Sequence, residues 1–242
     1  MPRFFVNNPL AVGETAVIDG ADARHIGGAL RMAVGESLTL CDGAGTDYAA
    51  TITAVSKDAV TASVDSASPS VSEPSVAVTL YVGMPKGDKL EFVIQKAVEL
   101  GVTAVVPVVT ARSIVRVSGK DAEKKQVRLQ RIAAEAAGQC GRGIIPSVHA
   151  PIDFKTALKR FKDENVLFCY EGGGAPLGTL VTPSDTAVSL FIGPEGGFAP
   201  EEVEAVNAAG GKVATLGPRI LRCETAPLSA LVVIMEKTGN MG

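Results

Sequence analysis

Ile192-Gly193-Pro194-Glu195-Gly196-Gly197-Phe198 closes one apolar run of this chain, and Leu216-Gly217-Pro218-Arg219-Ile220-Leu221-Arg222-Cys223-Glu224-Thr225-Ala226 closes another. Each follows a β-branched apolar stretch and each leads into a helical pattern. Glycine at a strand-to-helix turn adopts backbone angles closed to other residues and lets a ligand approach the main chain. A helix start adds exposed N–H groups. Two such turns at the ends of neighbouring strands predict a ligand pocket. Alone, Gly-Pro-Glu-Gly-Gly is compatible with an ordinary turn. The second stretch crowds Arg219, Arg222, Glu224 and Thr225 against a Gly-Pro turn, more polar groups than a plain connection needs.

Around these turns, strands alternate with helices. Strands are predicted over 76–82, 102–109, 166–170, 188–192 and 212–216, and helices over 121–140, 153–162 and 227–237. Another helix starts at Pro200, with acids in its first turn. A helix running to residue 100 carries an apolar stripe of Leu90, Val93, Ile94, Ala97 and Val98. Asp88 and Glu91 form its expected capping box and Gly101 its stop. This rhythm predicts a mostly parallel sheet with helices on both faces. The glycines at 172–174 read as a surface loop. The Ser/Pro-rich stretch 66–75 reads as a linker, dividing the chain into 1–70 and 71–242. Before it, short β-like runs, a tight turn at Asp42-Gly43-Ala44-Gly45 and one helix over 22–32 suggest a small barrel.

With 46% hydrophobic residues, the 242-residue chain can bury a sizeable core. No apolar run reaches membrane-spanning length, and the opening MPRFFVNNPL lacks a signal peptide's apolar stretch, so a cytoplasmic protein without membrane association is expected. Cys41, Cys140, Cys169 and Cys223 form no CxxC pair and His25 and His149 are isolated. No metal site is expected, and four buried thiols are. A net charge of −3 argues against a generic nucleic-acid binder, yet residues 84–142 hold eleven Lys/Arg against six Asp/Glu. That stretch is either a solvated helix face or a phosphate-contacting surface. Arg112 and Arg116 follow a strand end, and Glu135, Gln139 and Arg142, at i, i+4 and i+7, are expected to share a face that reaches RNA or the ligand loop.

Commoner nucleotide sites are missing: Gly210-Gly211-Lys212 lacks the upstream glycine of a P-loop, and Gly43 and Gly45 lack the third glycine of a dinucleotide fingerprint. Glu195 and Glu224 would repel phosphates and suit a neutral or cationic ligand, which S-adenosylmethionine, with its sulfonium, satisfies.

IGPEGGF at 192–198 followed by LGPRILRCETA at 216–226 resembles the signature of the RsmE-type 16S rRNA uridine-N3 methyltransferases, which belong to the SPOUT class. HIGGALRMAVGE at 25–36, KLEFVIQKAVELGV at 89–102 and EAAGQCGR at 135–142 extend the resemblance over nearly the whole chain. Leu129 and Gly138 depart from it, standing where the family commonly has a tryptophan and an acid. The resemblance implies an α/β SPOUT domain with a C-terminal trefoil knot, behind a small PUA-like β-barrel that positions RNA. It also implies methylation of uridine N3 in 16S rRNA of the 30S subunit, with S-adenosylmethionine as methyl donor.

By matching positions, the resemblance assigns the cofactor to Gly193, Pro194, Glu195 and Gly196 from one loop and to Leu216, Gly217, Ile220, Leu221 and Arg222 from the other. Leu216, Ile220 and Leu221 would flank adenine, although Ile220 and Leu221 could equally be core under the turn. N3 of neutral uridine is a poor nucleophile that carries a proton. Arg222 could stabilise charge on the uracil oxygens, Glu224 accept the proton or orient Arg222, and Thr225 hold the base or cap the final helix. In the first domain Arg3, Arg24 and Arg31 are expected to position the RNA backbone, the last two from one helix face. The final helix is apolar over more than one face (Leu228, Leu231, Val232, Ile234, Met235), so it is deeply buried or shared with a partner. The resemblance favours a homodimer. Two further readings stay open: a SPOUT enzyme acting on another RNA, and a non-catalytic RNA-binding assembly factor. Arg222, Glu224 and Thr225 together favour an enzyme.

Overall fold

A computed structural model describes residues 1–6, 9–115, 119–161 and 165–241. The chain divides into two compact units, one of residues 1–73 with 137–145, the other of 74–136 with 146–242.

The first unit is built on a five-stranded sheet. Its strands are β1 (Arg3–Phe5), β2 (Thr15–Asp19), β3 (Ser37–Cys41), β4 (Thr46–Val55) and β5 (Ala59–Pro69), in the order β1-β3-β4-β5-β2. Period-two alternation sets its core. Leu38 pairs with Ala50, Ile52 with Ala62 and Ile18 with Val60, all on the buried face. The helix expected over 22–32 is shorter: α1 (Gly20–Arg24) passes into a π-helical turn at His25–Ala29. Arg31 then takes a left-handed φ of 52°, so Arg24 and Arg31 do not share a helix face.

Residues 137–145 join this unit through Glu73. Its carboxylate accepts hydrogen bonds from Arg142 Nη2 at 2.6 Å, from the Gly143 amide at 2.9 Å and from the Ile144 amide at 3.0 Å. The Arg142 side chain is only 5% exposed.

The second unit is an eight-stranded sheet whose strand pairings are all parallel. Its strands are β6 (Ala77–Gly83), β7 (Ala104–Val109), β8 (Ser147–Val148), β9 (Ile152–Asp153), β10 (Val166–Cys169), β11 (Ala175–Pro176), β12 (Ala187–Ile192) and β13 (Lys212–Thr215). The order is β11-β13-β10-β12-β6-β7-β8, with β9 also on β7. β12 and β6 are buried almost end to end, as central parallel strands are. Phe191 of β12 anchors an aromatic cluster with Phe168 (ring centroids 5.4 Å apart), Phe198 (5.3 Å), Tyr81 and Phe161 (5.7 Å each).

The remaining α-helices among the described residues are α2 (Lys89–Glu99), α3 (Lys120–Cys140), α4 (Phe154–Arg160), α5 (Pro200–Ala208) and α6 (Thr225–Lys237). Lys162, in the sequence-based range for α4, lies outside the described residues, as does Arg116. The apolar stripe of α2 is buried as its spacing predicts. The helix ends in a Schellman turn: Gly101, at φ +91°, donates to the Val98 carbonyl and Val102 to the Ala97 carbonyl. The capping box at its start does not form. Asp88 makes no side-chain cap bond, its carbonyl serves the turn, and Glu91 pairs with Arg128 at 2.9 Å. On α6, Leu231, Ile234 and Met235 are buried while Val232 is 39% exposed. Of the thiols, Cys41 and Cys223 are buried, but Cys140 and Cys169 only partly. No helix among the described residues is long and apolar enough to cross a membrane.

Candidate active site

Strand order decides the pocket. β12 and β13, whose ends carry the two glycine-bearing loops, are not neighbours: β10 lies between them and β6 flanks β12 on the other side. In a parallel sheet all four strands release their following loops at the same end. Loops after β10, β12 and β13 and the start of α2 after β6 therefore surround one cavity of about 910 Å³. This corrects the reading of residues 172–174 as a mere surface loop, because Gly172 and Gly173 line the cavity with Tyr170 and Glu171. Gly197 sits at φ +64° with the Glu171 carboxylate where a β-carbon would project.

The loop after β12 packs against β6 itself. A β-carbon on Gly83, the last residue of β6, would lie 2.5 Å from the Pro194 nitrogen and 3.0 Å from the Gly193 carbonyl carbon. Phe198 then plugs the loop into the core, its ring 4.1 Å from that of Phe168. Arg112 Nη1 donates to the Gly196 carbonyl at 2.9 Å, so this exposed arginine braces the loop from outside. In the loop after β13, Gly217 takes φ +107°. Ile220 is 87% exposed and thus is no core residue under the turn, whereas Leu216 and Leu221 are half-buried. All three line the cavity.

Lys89, to which the sequence reading gave no role, joins the two loops. Its ammonium lies 3.0 Å from Glu195 Oε1 and 3.7 Å from Glu224 Oε2. The Lys86 amide also donates to Glu195 Oε1, at 3.1 Å. Burial pushes the Glu195 pKa up, but hydrogen bonds from the backbone and from Lys89 outweigh it and hold this carboxyl below its ordinary value. Glu224 is likewise held low, first by the Cys223 thiol, which donates at 3.2 Å, and further by Lys89 and Arg222. Burial, reinforced by Glu224, pushes the Cys223 thiol up to about 12, so it remains a protonated donor. Both glutamates are therefore ionised at neutral pH. Arg222 and Thr225 are exposed beside them, and Thr225 is the first residue of α6 rather than its cap, a position Glu224 holds without a side-chain bond.

The residues expected to contact RNA divide. Arg24, Arg31, Arg112 and Gln139 are exposed. Arg3 is instead committed to Asp47, at 2.6 Å and 2.8 Å, and Arg142 to Glu73. Arg142 therefore shares no outer face with Glu135, which pairs with Arg131 at 3.4 Å. Spacing along the helix could not reveal this, since α3 ends at Cys140, before Arg142.

The cavity has the volume of a nucleoside-sized ligand site. Its apolar wall suits adenine, and its ionised carboxylates suit a cation near them, so the residues present fit S-adenosylmethionine. Among the described residues no group of three or more His, Cys, Asp and Glu could hold a metal ion.

Comparison with known proteins agrees with this geometry. A family model described as an RNA methyltransferase domain matches residues 72–235, and one described as an RNA methyltransferase PUA domain matches residues 18–65. The chain is 36% identical to ribosomal RNA small subunit methyltransferase E of Bacillus subtilis, covering 98% of this chain and 97% of that protein. A crystal structure of ribosomal RNA small subunit methyltransferase E from Neisseria gonorrhoeae, bound to S-adenosyl methionine, superposes with a TM-score of 0.89 at 36% identity, covering 98% and 97%. A putative methyltransferase from Legionella pneumophila, in complex with its bound cofactor SAM, gives 0.87 at 31% identity, covering 97% and 96%.

Proposed function

Because this chain belongs to the ribosomal RNA small subunit methyltransferase E family, we propose that it methylates N3 of a uridine in 16S rRNA within the 30S subunit, using S-adenosylmethionine. The observation that carries this reading is the cavity formed at the ends of β10, β12 and β13, in which exposed Arg222 and ionised Glu224 stand beside an apolar wall. Gly193, Pro194, Glu195, Gly196, Leu216, Gly217, Ile220 and Leu221 would hold the cofactor, with Gly172 and Gly173 completing the wall. Bound there, S-adenosylmethionine supplies an electrophilic methyl group. The Glu224 carboxylate accepts the N3–H hydrogen bond and takes the proton as nitrogen becomes nucleophilic. Arg222 stabilises the negative charge that then spreads to the uracil oxygens. Thr225 orients the base. A depressed pKa keeps Glu224 ionised down into the acidic range, so activity falls on the acid side only as that carboxylate protonates.

Exposed Arg24, Arg31, Arg112 and Gln139 supply the RNA contacts in this reading. In this reading residues 1–70 act as the RNA-positioning domain and 71–242 as the catalytic one, except that 71–73 and 137–145 pack in the first unit. The protein works in the cytoplasm as a homodimer joined through exposed parts of α6 such as Val232, with a sedimentation mass of about twice 24.9 kDa. A sedimentation mass of one chain, with full activity, contradicts the dimer.

Gly217→Val tests the cofactor loop. Valine at φ +107° costs on the order of 1–3 kcal/mol of local strain, although nothing crowds that position. The expected result is loss of S-adenosylmethionine binding by calorimetry with an unchanged circular dichroism spectrum; wild-type affinity removes Gly217 from the site. The function itself is tested by mapping 16S rRNA nucleosides by mass spectrometry in a strain lacking this protein. One 3-methyluridine is expected to disappear, and an unchanged profile contradicts the proposal.

A further inference from the structure

Three side chains from two loops distant in sequence meet one ammonium at the cavity. Lys89 Nζ, at the first residue of α2, lies 3.0 Å from Glu195 Oε1, 3.7 Å from Glu224 Oε2 and 3.9 Å from Cys223 Sγ. Glu195 belongs to the loop after β12 and Glu224 to the loop after β13, and β10 separates those two strands. A surface ion pair of this exposure is weak by itself. Here, however, one cation serves two carboxylates, and without it two like charges lie close together at the cavity wall. Other charged groups near Lys89, Glu195 and Glu224 include Arg222 on the same loop as Glu224, Lys86, whose amide bonds Glu195, Arg112, whose guanidinium holds the Gly196 carbonyl, and, elsewhere on the cavity wall, Glu171 and Arg219.

We propose that Lys89 is a positioning residue for methyl transfer: its ammonium clamps Glu195 to Glu224, fixing the loop after β12 against the loop after β13. The clamp leaves Lys89, Glu195 and Glu224 together with a single net negative charge, the complement of one sulfonium. The Cys223 thiol donates at 3.2 Å to the same oxygen that faces Lys89, Glu224 Oε2, and so helps hold that carboxylate in place. This assignment rests on reading the cavity as the methyl-transfer site, but the clamp itself is measurable without cofactor or RNA.

The experiment compares wild-type protein with Lys89→Met and Lys89→Arg, with Lys89→Gln in reserve should the methionine variant fail to fold. Glutamate carboxyl carbons are labelled with carbon-13 and titrated by NMR in the ligand-free protein, the two signals being assigned with Glu195→Gln and Glu224→Gln. In wild type both carboxyls titrate below the ordinary glutamate range. In Lys89→Met both move upward, and in Lys89→Arg, which keeps the charge, they remain low. Turnover of 30S subunits with S-adenosylmethionine is then measured against pH. Lys89→Met is expected to lower kcat by on the order of tenfold, part of the hundredfold or more that a placed base contributes, with little change in KM for the RNA. Its acid limb moves to higher pH because the carboxylate now protonates earlier, and Lys89→Arg restores that limb. Carboxyl titrations that ignore Lys89→Met overturn the clamp. Shifted titrations with an unmoved acid limb and unchanged kcat overturn the positioning role. A wild-type protein that titrates as described yet methylates no RNA overturns the methyltransferase reading and leaves the clamp intact.

Discussion

Gly83→Ala is expected to abolish S-adenosylmethionine binding, although Gly83 lies on a sheet strand and lines no part of the cavity. The new β-carbon would meet the Pro194 ring and lie 2.5 Å from the Pro194 nitrogen. Neither neighbour can turn aside: one is a closed ring, the other main chain. The strand cannot retreat either, since Val82 and Gly83 of β6 pair with Pro107 and Val108 of β7, and Val82 with Ile192 of β12. The loop 193–197 must therefore move, and with it the floor of the cavity. Overpacking of this kind costs about 1–3 kcal/mol, which a sheet of this size tolerates. The expected observation is a folded protein by circular dichroism, with a lowered melting temperature and no calorimetric signal on addition of S-adenosylmethionine. Wild-type affinity would show that the Pro194 turn does not shape the site.

Glu224→Gln should leave cofactor binding in place and lower kcat by about 10²- to 10⁴-fold, the usual contribution of a positioned general base. Glutamine keeps the shape and can still accept a hydrogen bond from the Cys223 thiol, but it cannot take a proton from N3. Because the carboxyl is held below its ordinary pKa by Cys223, its own backbone, Lys89 and Arg222, the wild-type acid limb lies on the acid side of the usual glutamate range. In the variant that limb disappears along with most of the rate. Initial rates with 30S subunits across pH, beside calorimetry of the cofactor, check both statements. A variant retaining wild-type kcat excludes Glu224 as the proton acceptor.

Much of the second unit was legible in sequence because its signals are local. The α2 stripe, Gly101 as its stop and Pro200 at the start of α5 need only neighbours within a few residues. The two glycine-bearing loops stood out for the same reason. What escaped depends on spatial order that no local pattern encodes. The insertion of β10 between β12 and β13 turns Gly172 and Gly173 from apparent surface loop into cavity wall. Lys89 looks like an ordinary lysine at a helix start until Glu195, 106 residues away, arrives beside it. Arg3 and Arg142 looked available to RNA because their partners, Asp47 and Glu73, lie 44 and 69 residues distant. In the first unit Gly27-Gly28 gave no hint that α1 would widen into a π-turn and end at a left-handed Arg31.

The central claim is that the cavity transfers a methyl group to uridine N3 of 16S rRNA. Its most direct test is to incubate the purified protein with methyl-labelled S-adenosylmethionine and 30S subunits from a strain lacking it, then digest the RNA and identify the labelled nucleoside. The account predicts label in 3-methyluridine alone, confined to one fragment of 16S rRNA. Label in a ribose-methylated or otherwise different nucleoside, or no label in 16S rRNA, would contradict it.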